Sequence, residues 1–254
     1  MINLINSVKE LAIIAGRIAL TKKSEGLEIY KKRDYSIVTN ADLEISELIF
    51  ITLSKLTPLI PIVCEERPLP KLVKDSFWLI DPIDGTRGYT KNKQSYTVNI
   101  CLIERAIPKL GFIYQPELDT LYYTDADENL IVEQNKIRLN YSSYGSKANK
   151  IAAISSHDAN IMTKNFLQAN KLNEVIAIAS SIKFCLVAEG KADIYPRFDQ
   201  IMEWDVGAGH ALIKAAGGEV FDIDKKPLIY GKAGFKHPFF IAVNKKQIIN
   251  DIII

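Results

Sequence analysis

The stretch "WLIDPIDGTRGY", residues 78–89, runs an apolar segment straight into two aspartates. Trp78, Leu79 and Ile80 read as a buried strand, and Asp81 stands at its C-terminal end, where ligand sites commonly form. Pro82 stiffens the following turn, and Gly85 lets the backbone approach a ligand closely. Asp81 and Asp84 repel when both are ionised and stay ionised together only if a cation neutralises them. With no His or Cys beside them, oxygen-only donors favour Mg²⁺ or another hard ion. Taken alone, D-x-x-D is weak and fits a loop of exposed acids equally well.

Two further acidic sites favour the metal. "IVCEER" (62–67) puts Glu65 and Glu66 at the end of a strand that can lie beside the one ending at Asp81. "EWDVGAGHAL" (203–212) puts Asp205 in the first turn of a helix, behind Trp204 and before small residues that permit close packing. An unpaired charge at the mouth of a buried element is costly, so such acids suggest a cluster holding two or three cations. Thr86 and Asp42 supply a hydroxyl and an acid that can orient a metal-bound water.

Outward from these motifs, "MINLINSVKELAIIAGRIAL" repeats apolar residues at three- and four-residue steps, the pattern of an amphipathic helix rather than a signal peptide. A second helix follows "SIVTN", with Thr39 or Asn40 as cap and Asp42 in the first turn. Short strands then run from "LIPIVCEE" to "KIRLN" (136–140) and read as an antiparallel meander. Beyond a polar linker at 140–150, strands and helices alternate. The expectation is an α+β half over 1–145 and an α/β half over 146–254, the second carrying the substrate-binding residues and the last metal ligand.

Composition excludes several function classes. The hydrophobic share of 48% and charged share of 24% are those of an ordinary globular chain. A net charge of +2 gives no reason to expect nucleic acid, and runs such as "YKKRD" (30–34) read as solvated surface. Three widely separated cysteines fit a reducing compartment, and no apolar run approaches the ~20 residues of a membrane span. The expected protein is cytoplasmic, as monomer or homodimer, with peripheral attachment to the inner membrane face left open. GxxxxGK[ST] and GxSxG are absent, which disfavours P-loop and serine-hydrolase chemistry.

The chain resembles the inositol monophosphatase superfamily of Mg²⁺-dependent, lithium-sensitive phosphomonoesterases. "VTNAD", "CEE", "DPIDGT" and "WDVGAG" occur in that family's order and approximate spacing over nearly the whole length. The resemblance implies a layered αβαβα sandwich. It implies that Glu65, Asp81, the carbonyl of Ile83, Asp84 and Asp205 hold two or three Mg²⁺ ions, while Asp42 and Thr86, with Glu65, activate the attacking water. Two cations ~3.5–4 Å apart can lower that water's pKa and stabilise the leaving alkoxide.

Within the superfamily, "SSIKFCLVAEGKADIYPRF" (180–198) resembles the 3'(2'),5'-bisphosphate nucleotidase branch, which hydrolyses adenosine 3',5'-bisphosphate to AMP and phosphate and clears a by-product of sulfate assimilation. A second, untransferred phosphate needs donors away from the metals. Ser180 and Ser181 at a helix start, Lys183, Arg197 and His157 are the candidates, with Gly85, Thr86 and Asp205 also facing substrate. Inositol phosphatases of the family carry an acid where Arg197 stands. Two departures concern the pocket rim: Gly88 and Tyr89 follow Arg87, and Asp199 and Glu203 stand where small or neutral residues are usual. The alternatives are an inositol-1-phosphate or fructose-1,6-bisphosphate phosphatase of the same fold, and a non-catalytic Ca²⁺-binding protein, which would not need Thr86 and Asp42.

Overall fold

A computed structural model describes residues 1–32, 35–70, 73, 75–139, 150–156 and 160–254. The order begins α1 (Ile2–Glu25), β1 (Ile29–Lys31), β2 (Ile37–Thr39), α2 (Asn40–Leu56), β3 (Ile62–Cys64) and β4 (Ser76–Asp84). A single turn of helix, α3 (Thr86–Tyr89), precedes β5 (Thr97–Glu104), β6 (Ile107–Gln115), β7 (Thr120–Thr124), β8 (Leu130–Gln134) and β9 (Ile137–Arg138). The second half holds β10 (Ile151–Ile154), α4 (Ile161–Ala169), β11 (Glu174–Ala177), α5 (Ile182–Ala188), β12 (Ile194–Arg197) and β13 (Ile201–Met202). It closes with α6 (Glu203–Ala215), β14 (Glu219–Asp222), β15 (Lys236–His237) and β16 (Phe240–Val243).

The larger sheet has seven strands in the order β3-β4-β5-β6-β7-β8-β9. From β4 onward it is the expected antiparallel meander, but β3 pairs with β4 in parallel, with Cys64 opposite Ile80. Parallel pairing is what brings the C-terminal ends of both strands, and hence Glu65 and Asp81, to the same edge. The smaller sheet has the order β11-β10-β12-β16-β14. The short pairs β1-β2 and β13-β15 have no counterpart in the expected elements, because three exposed residues or two leave no periodic signature.

Three apolar clusters separate the layers. The first lies between α1–α2 and one face of the large sheet, with Val8, Ile45 and Ile100 fully enclosed. The second lies between the two sheets and is filled by α5 and α6, including Phe184 and Leu212. The third packs Phe166 of α4 against the outer face of the small sheet at Ile194 and Ile241. The result is the αβαβα sandwich. The large sheet ends at Arg138 and the small one begins at Ile151, so the expected boundary near 145 falls outside the described residues.

Two contacts aim α6 at the motif of β4. A Cβ on Gly111 would lie 2.5 Å from the carbonyl oxygen of Ala208, so only glycine lets β6 touch the helix backbone there. A Cβ on Gly207 would lie 3.1 Å from the Leu79 side chain and 3.2 Å from Cys101 Sγ, a tight but milder approach. The small residues after Trp204 therefore bring the first turn of α6, with Asp205, down onto β4.

Candidate active site

The D-x-x-D motif is shaped by an irregularity in the sheet. Asp81 pairs with Asn99 and Asp84 with Thr97, so three steps along β4 match two along β5. In a regular strand, side chains three residues apart face opposite sides. The bulge cancels that offset and returns Asp84 toward the side of Asp81. Pro82 sits inside it, where its missing N–H costs no ladder hydrogen bond. Gly85 follows with φ 92°, and a Cβ there would press on the Ser95 carbonyl at 3.0 Å.

Glu65, Asp81 and Asp205 each offer one oxygen within 4.8 Å of the others. Asp81 is 1% exposed, and burial together with the charges of Glu65, Asp84 and Asp205 holds its carboxyl well above the usual carboxylate range. Burial and the same neighbours push Asp205 up. Each of these two acids spends one oxygen on its own backbone. Asp81 Oδ1 accepts from the Ile83 N–H at 3.1 Å, and Asp205 Oδ2 accepts from the Met202 N–H at 2.9 Å while capping α6. Asp81 Oδ2 is buried and has no hydrogen-bond partner. An orphaned buried carboxylate oxygen facing two more acids is the arrangement a cation resolves. The donor set is all oxygen, which fits a hard divalent ion such as Mg²⁺.

Asp42 is anchored in the same manner by the capping box of α2. Its Oδ2 accepts from the Thr39 N–H at 2.9 Å and the Thr39 hydroxyl at 2.5 Å. Its Oδ1 lies 3.4 Å from Thr86 Oγ1. Burial raises the Asp42 carboxyl to about 6, against the lowering effect of the Thr39 bonds. The Thr86 hydroxyl also donates to the Ile83 carbonyl at 2.9 Å. That carbonyl, expected to face a metal, is therefore engaged by Thr86 in this structure.

Asp84 stands beside the trio of Glu65, Asp81 and Asp205, near enough to raise Asp81 and Asp205. It is not one of the three acids within 4.8 Å; its Oδ2 accepts from Ser181 Oγ at 2.5 Å and from Asn99 Nδ2 at 3.4 Å. The Ser181 hydroxyl, expected to face substrate, serves this acid and also lines a cavity at the start of α5.

Glu65, Asp84, Thr86, Ser181 and Asp205 line this cavity of about 280 Å³, which also receives Lys183 and Arg197. Lys183, expected as a donor to a distant phosphate, is 4% exposed, and its Nζ donates to the Ser180 carbonyl at 2.6 Å and the Ile178 carbonyl at 3.3 Å. Burial pushes its ammonium down to about 8, with Asp84 opposing and Arg197 reinforcing the shift. Arg197 ends β12, and its Nε is buried with no hydrogen-bond partner. Ser180 lines the same wall with a positive φ of 60°. His157 lies outside the described residues.

Lys32 is the group that sequence reasoning missed. Set aside with "YKKRD" as solvated surface, it reaches across from the end of β1 to Glu65 at 3.0 Å and Glu66 at 2.6 Å. Burial opposes its charge, but the two carboxylates prevail and raise its pKa. Burial and Glu65 push Glu66 up to about 7 even so. Asn99 was missed too, although an amide inside the apolar run "TVNICLI" was a usable signal. Glu203, flagged as a departure at the pocket rim, is instead fully buried, accepting from the backbone of Gly231 and Lys232 and pairing with Lys232 at 2.7 Å.

The profile of the Inositol monophosphatase family matches residues 3–248. The 3'(2'),5'-bisphosphate nucleotidase CysQ of Salmonella typhimurium is 38% identical over 218 residues, 84% of this chain and 88% of that protein. The protein of the same name from Buchnera aphidicola is 36% identical over 224 residues, 85% and 83% of the two chains. Among solved structures, CysQ from Bacteroides thetaiotaomicron, a bacterial member of the inositol monophosphatase family, superposes with a TM-score of 0.84 at 30% identity, covering 97% of this chain and 99% of that one. The layered fold, the acid cluster at the β4 bulge and these likenesses agree: the chain belongs to the inositol monophosphatase family.

Proposed function

We propose that the protein is a Mg²⁺-dependent 3'(2'),5'-bisphosphate nucleotidase that converts adenosine 3',5'-bisphosphate to AMP and phosphate. The observation that carries this reading is one cavity lined both by acids, Glu65, Asp84 and Asp205, and by two cations, Lys183 and Arg197. Glu65, Asp81 and Asp205, with Asp84 beside them, are the residues that would hold the divalent ions. A bound divalent cation supplies charge neutralisation for the phosphoryl group and acidifies a water. The relatives named for this activity support the substrate class.

The chain's own part is orientation and proton transfer. The Thr86 hydroxyl turns its single proton from the Ile83 carbonyl to Asp42 Oδ1, shortening the 3.4 Å contact, and accepts a proton from the attacking water as its own moves to Asp42. A carboxyl at about 6 is well matched to receive that proton near neutral pH. The phosphate that is not cleaved pairs with Arg197, whose unpartnered Nε it satisfies, and with Lys183, whose charge it restores. An inositol monophosphate offers hydroxyls there, which would leave the two cations without a counter-charge.

The test is phosphate release from adenosine 3',5'-bisphosphate, inositol-1-phosphate and fructose-1,6-bisphosphate, with Mg²⁺ and with added Ca²⁺ or Li⁺. The expected result is a preference for the nucleotide, with both added ions inhibiting. Arg197→Ala should lower kcat/KM for that substrate ~30- to several-thousand-fold, the cost of leaving one side of a buried ion pair unpartnered. Adenosine 3'-monophosphate, lacking the second phosphate, should be affected little. Equal losses on both nucleotides would remove Arg197 from substrate recognition, and full activity in excess EDTA would remove the metal.

A further inference from the structure

Asp84 is the one aspartate of the site without an anchor in its own loop. Asp42, Asp81 and Asp205 are each held by a group two or three residues away in sequence. Asp84 is held from across the fold, by Ser181 on the turn into α5 and by Asn99 on β5. Both are buried, Ser181 at 2% and Asn99 at 1% exposure. The bonds have a direction. Asn99 Nδ2 donates to Ser181 Oγ at 2.8 Å, which occupies a lone pair of the hydroxyl and leaves its single proton for Asp84 Oδ2 at 2.5 Å.

The chemistry of these donors suits a ligand that must keep its charge. Lys32 neutralises Glu65 and Glu66 through ion pairs, whereas a hydroxyl and an amide orient Asp84 without cancelling its charge. An acid beside Asp81 and Asp205, which it repels, needs such a hold to remain at the cluster. We infer that Asn99 and Ser181 are positioning residues that grip Asp84 Oδ2, leave Oδ1 to the cation, and so set the affinity of the site for its metal. This rests on the divalent-cation reading of the acid cluster. Asn99 acts chiefly through Ser181, its own bond to Asp84 being the long one at 3.4 Å, and Ser181 acts on Asp84 at 2.5 Å.

The experiment is calorimetric titration of Mg²⁺ into the metal-free protein, substrate absent, for wild type, Ser181→Ala, Asn99→Leu and the double variant. Circular dichroism shows that each is folded. Loss of a residue that orients a metal ligand typically weakens binding 10–100-fold, and that is the expected change for each single variant. The double variant should be no weaker than the weaker single, because the two act in series. At saturating Mg²⁺, the KM for adenosine 3',5'-bisphosphate should stay within about threefold, a split that a general loosening of the cavity would not produce. Ser181→Cys, nearly isosteric and a poorer donor, gives the same reading if the alanine variant does not fold. Folded variants that bind Mg²⁺ as wild type does would overturn the positioning role and leave the metal reading standing. Losses that add in the double variant would overturn the serial arrangement. A wild-type protein that titrates no divalent cation would overturn both this inference and the function it rests on.

Discussion

The acids and the cations of the site are built on opposite electrostatic plans. Glu65, Asp81 and Asp205 crowd within 4.8 Å, and burial with the neighbouring acids Glu65 and Asp84 raises the carboxyls of Asp81 and Asp205. Lys183 and Arg197 lie close enough for Arg197 to help depress the Lys183 ammonium. Each set is costly by itself, and each is relieved by a ligand of opposite charge. The fold holds five of these groups through uncharged partners: backbone N–H groups for Asp42, Asp81 and Asp205, a hydroxyl and an amide for Asp84, and carbonyls for Lys183. What the contrast teaches is that each set of charges carries an unmet electrostatic demand that a ligand of opposite sign satisfies.

The sharpest way to break this comparison is at its acidic centre. Asp81→Asn should lower kcat/KM by ~10³-fold or more, since the charge stabilisation a metal supplies is worth several kcal/mol. The same variant should melt at a higher temperature than wild type in EDTA and at a lower one in Mg²⁺. Identical shifts in both buffers would mean that the buried charge is not the source of strain.

Thr86→Ala should reduce kcat by roughly 10²–10⁴-fold with near-normal metal binding, the range for removing a proton-transfer group. Asp42→Asn should match it, and the double variant should be little worse than either. Steady-state kinetics of the three variants check this, and simple multiplication of the two losses would separate the pair.

Melting in EDTA across pH distinguishes the acids from Lys183 by sign. Asp42 rises from its ordinary 3.8 to about 6, and Asp81 and Asp205 rise as well. Between the unfolded and folded values the native state binds more protons. This stability is therefore full below pH 4 and lost as pH climbs through about 6 and beyond. Lys183 works the other way, because its folded value of about 8 lies below the ordinary 10.5. Its penalty is present below pH 8 and is relieved between 8 and 10.5. The metal-free midpoint should fall by several degrees from pH 5 to 7.5, at about 2–4 °C per kcal/mol for a chain of this size, and Mg²⁺ should flatten the fall. A midpoint that rises over that range would contradict the account.

The smallest effect concerns Lys32. Its pairs with Glu65 and Glu66 are partly exposed, the kind of contact worth ~0.2–1 kcal/mol. Lys32→Met should therefore raise Mg²⁺ affinity up to about fivefold by removing a competing cation, while slightly lowering metal-free stability. Weaker Mg²⁺ binding in a titration would show that Lys32 supports the ion rather than standing in for it.

Much of this protein is legible along the chain because its cause is local. The steps of α1, the Thr39 cap that also holds Asp42, the apolar run into Asp81 and the small residues after Asp205 depend on neighbours a few positions away. The resemblance to the inositol monophosphatase family rests on these same short motifs. What the chain order conceals is every group brought in from a distance. Ser181 bonds to Asp84 across 97 positions and accepts from Asn99 across 82, and Lys32 meets Glu65 across 33. No periodicity marks those residues, so Ser181 read as an anion donor, Lys32 as surface and Asn99 as a strand residue. The bulge is the subtlest case. Sequence supplies two aspartates three residues apart, which a regular strand would send to opposite faces, and only pairing with β5, three residues against two, returns them to one. Local propensity thus determined the elements and most of the charged inventory. Tertiary pairing decided which charges meet, because that depends on the register and packing of segments whose separation along the chain exceeds the range of any local rule.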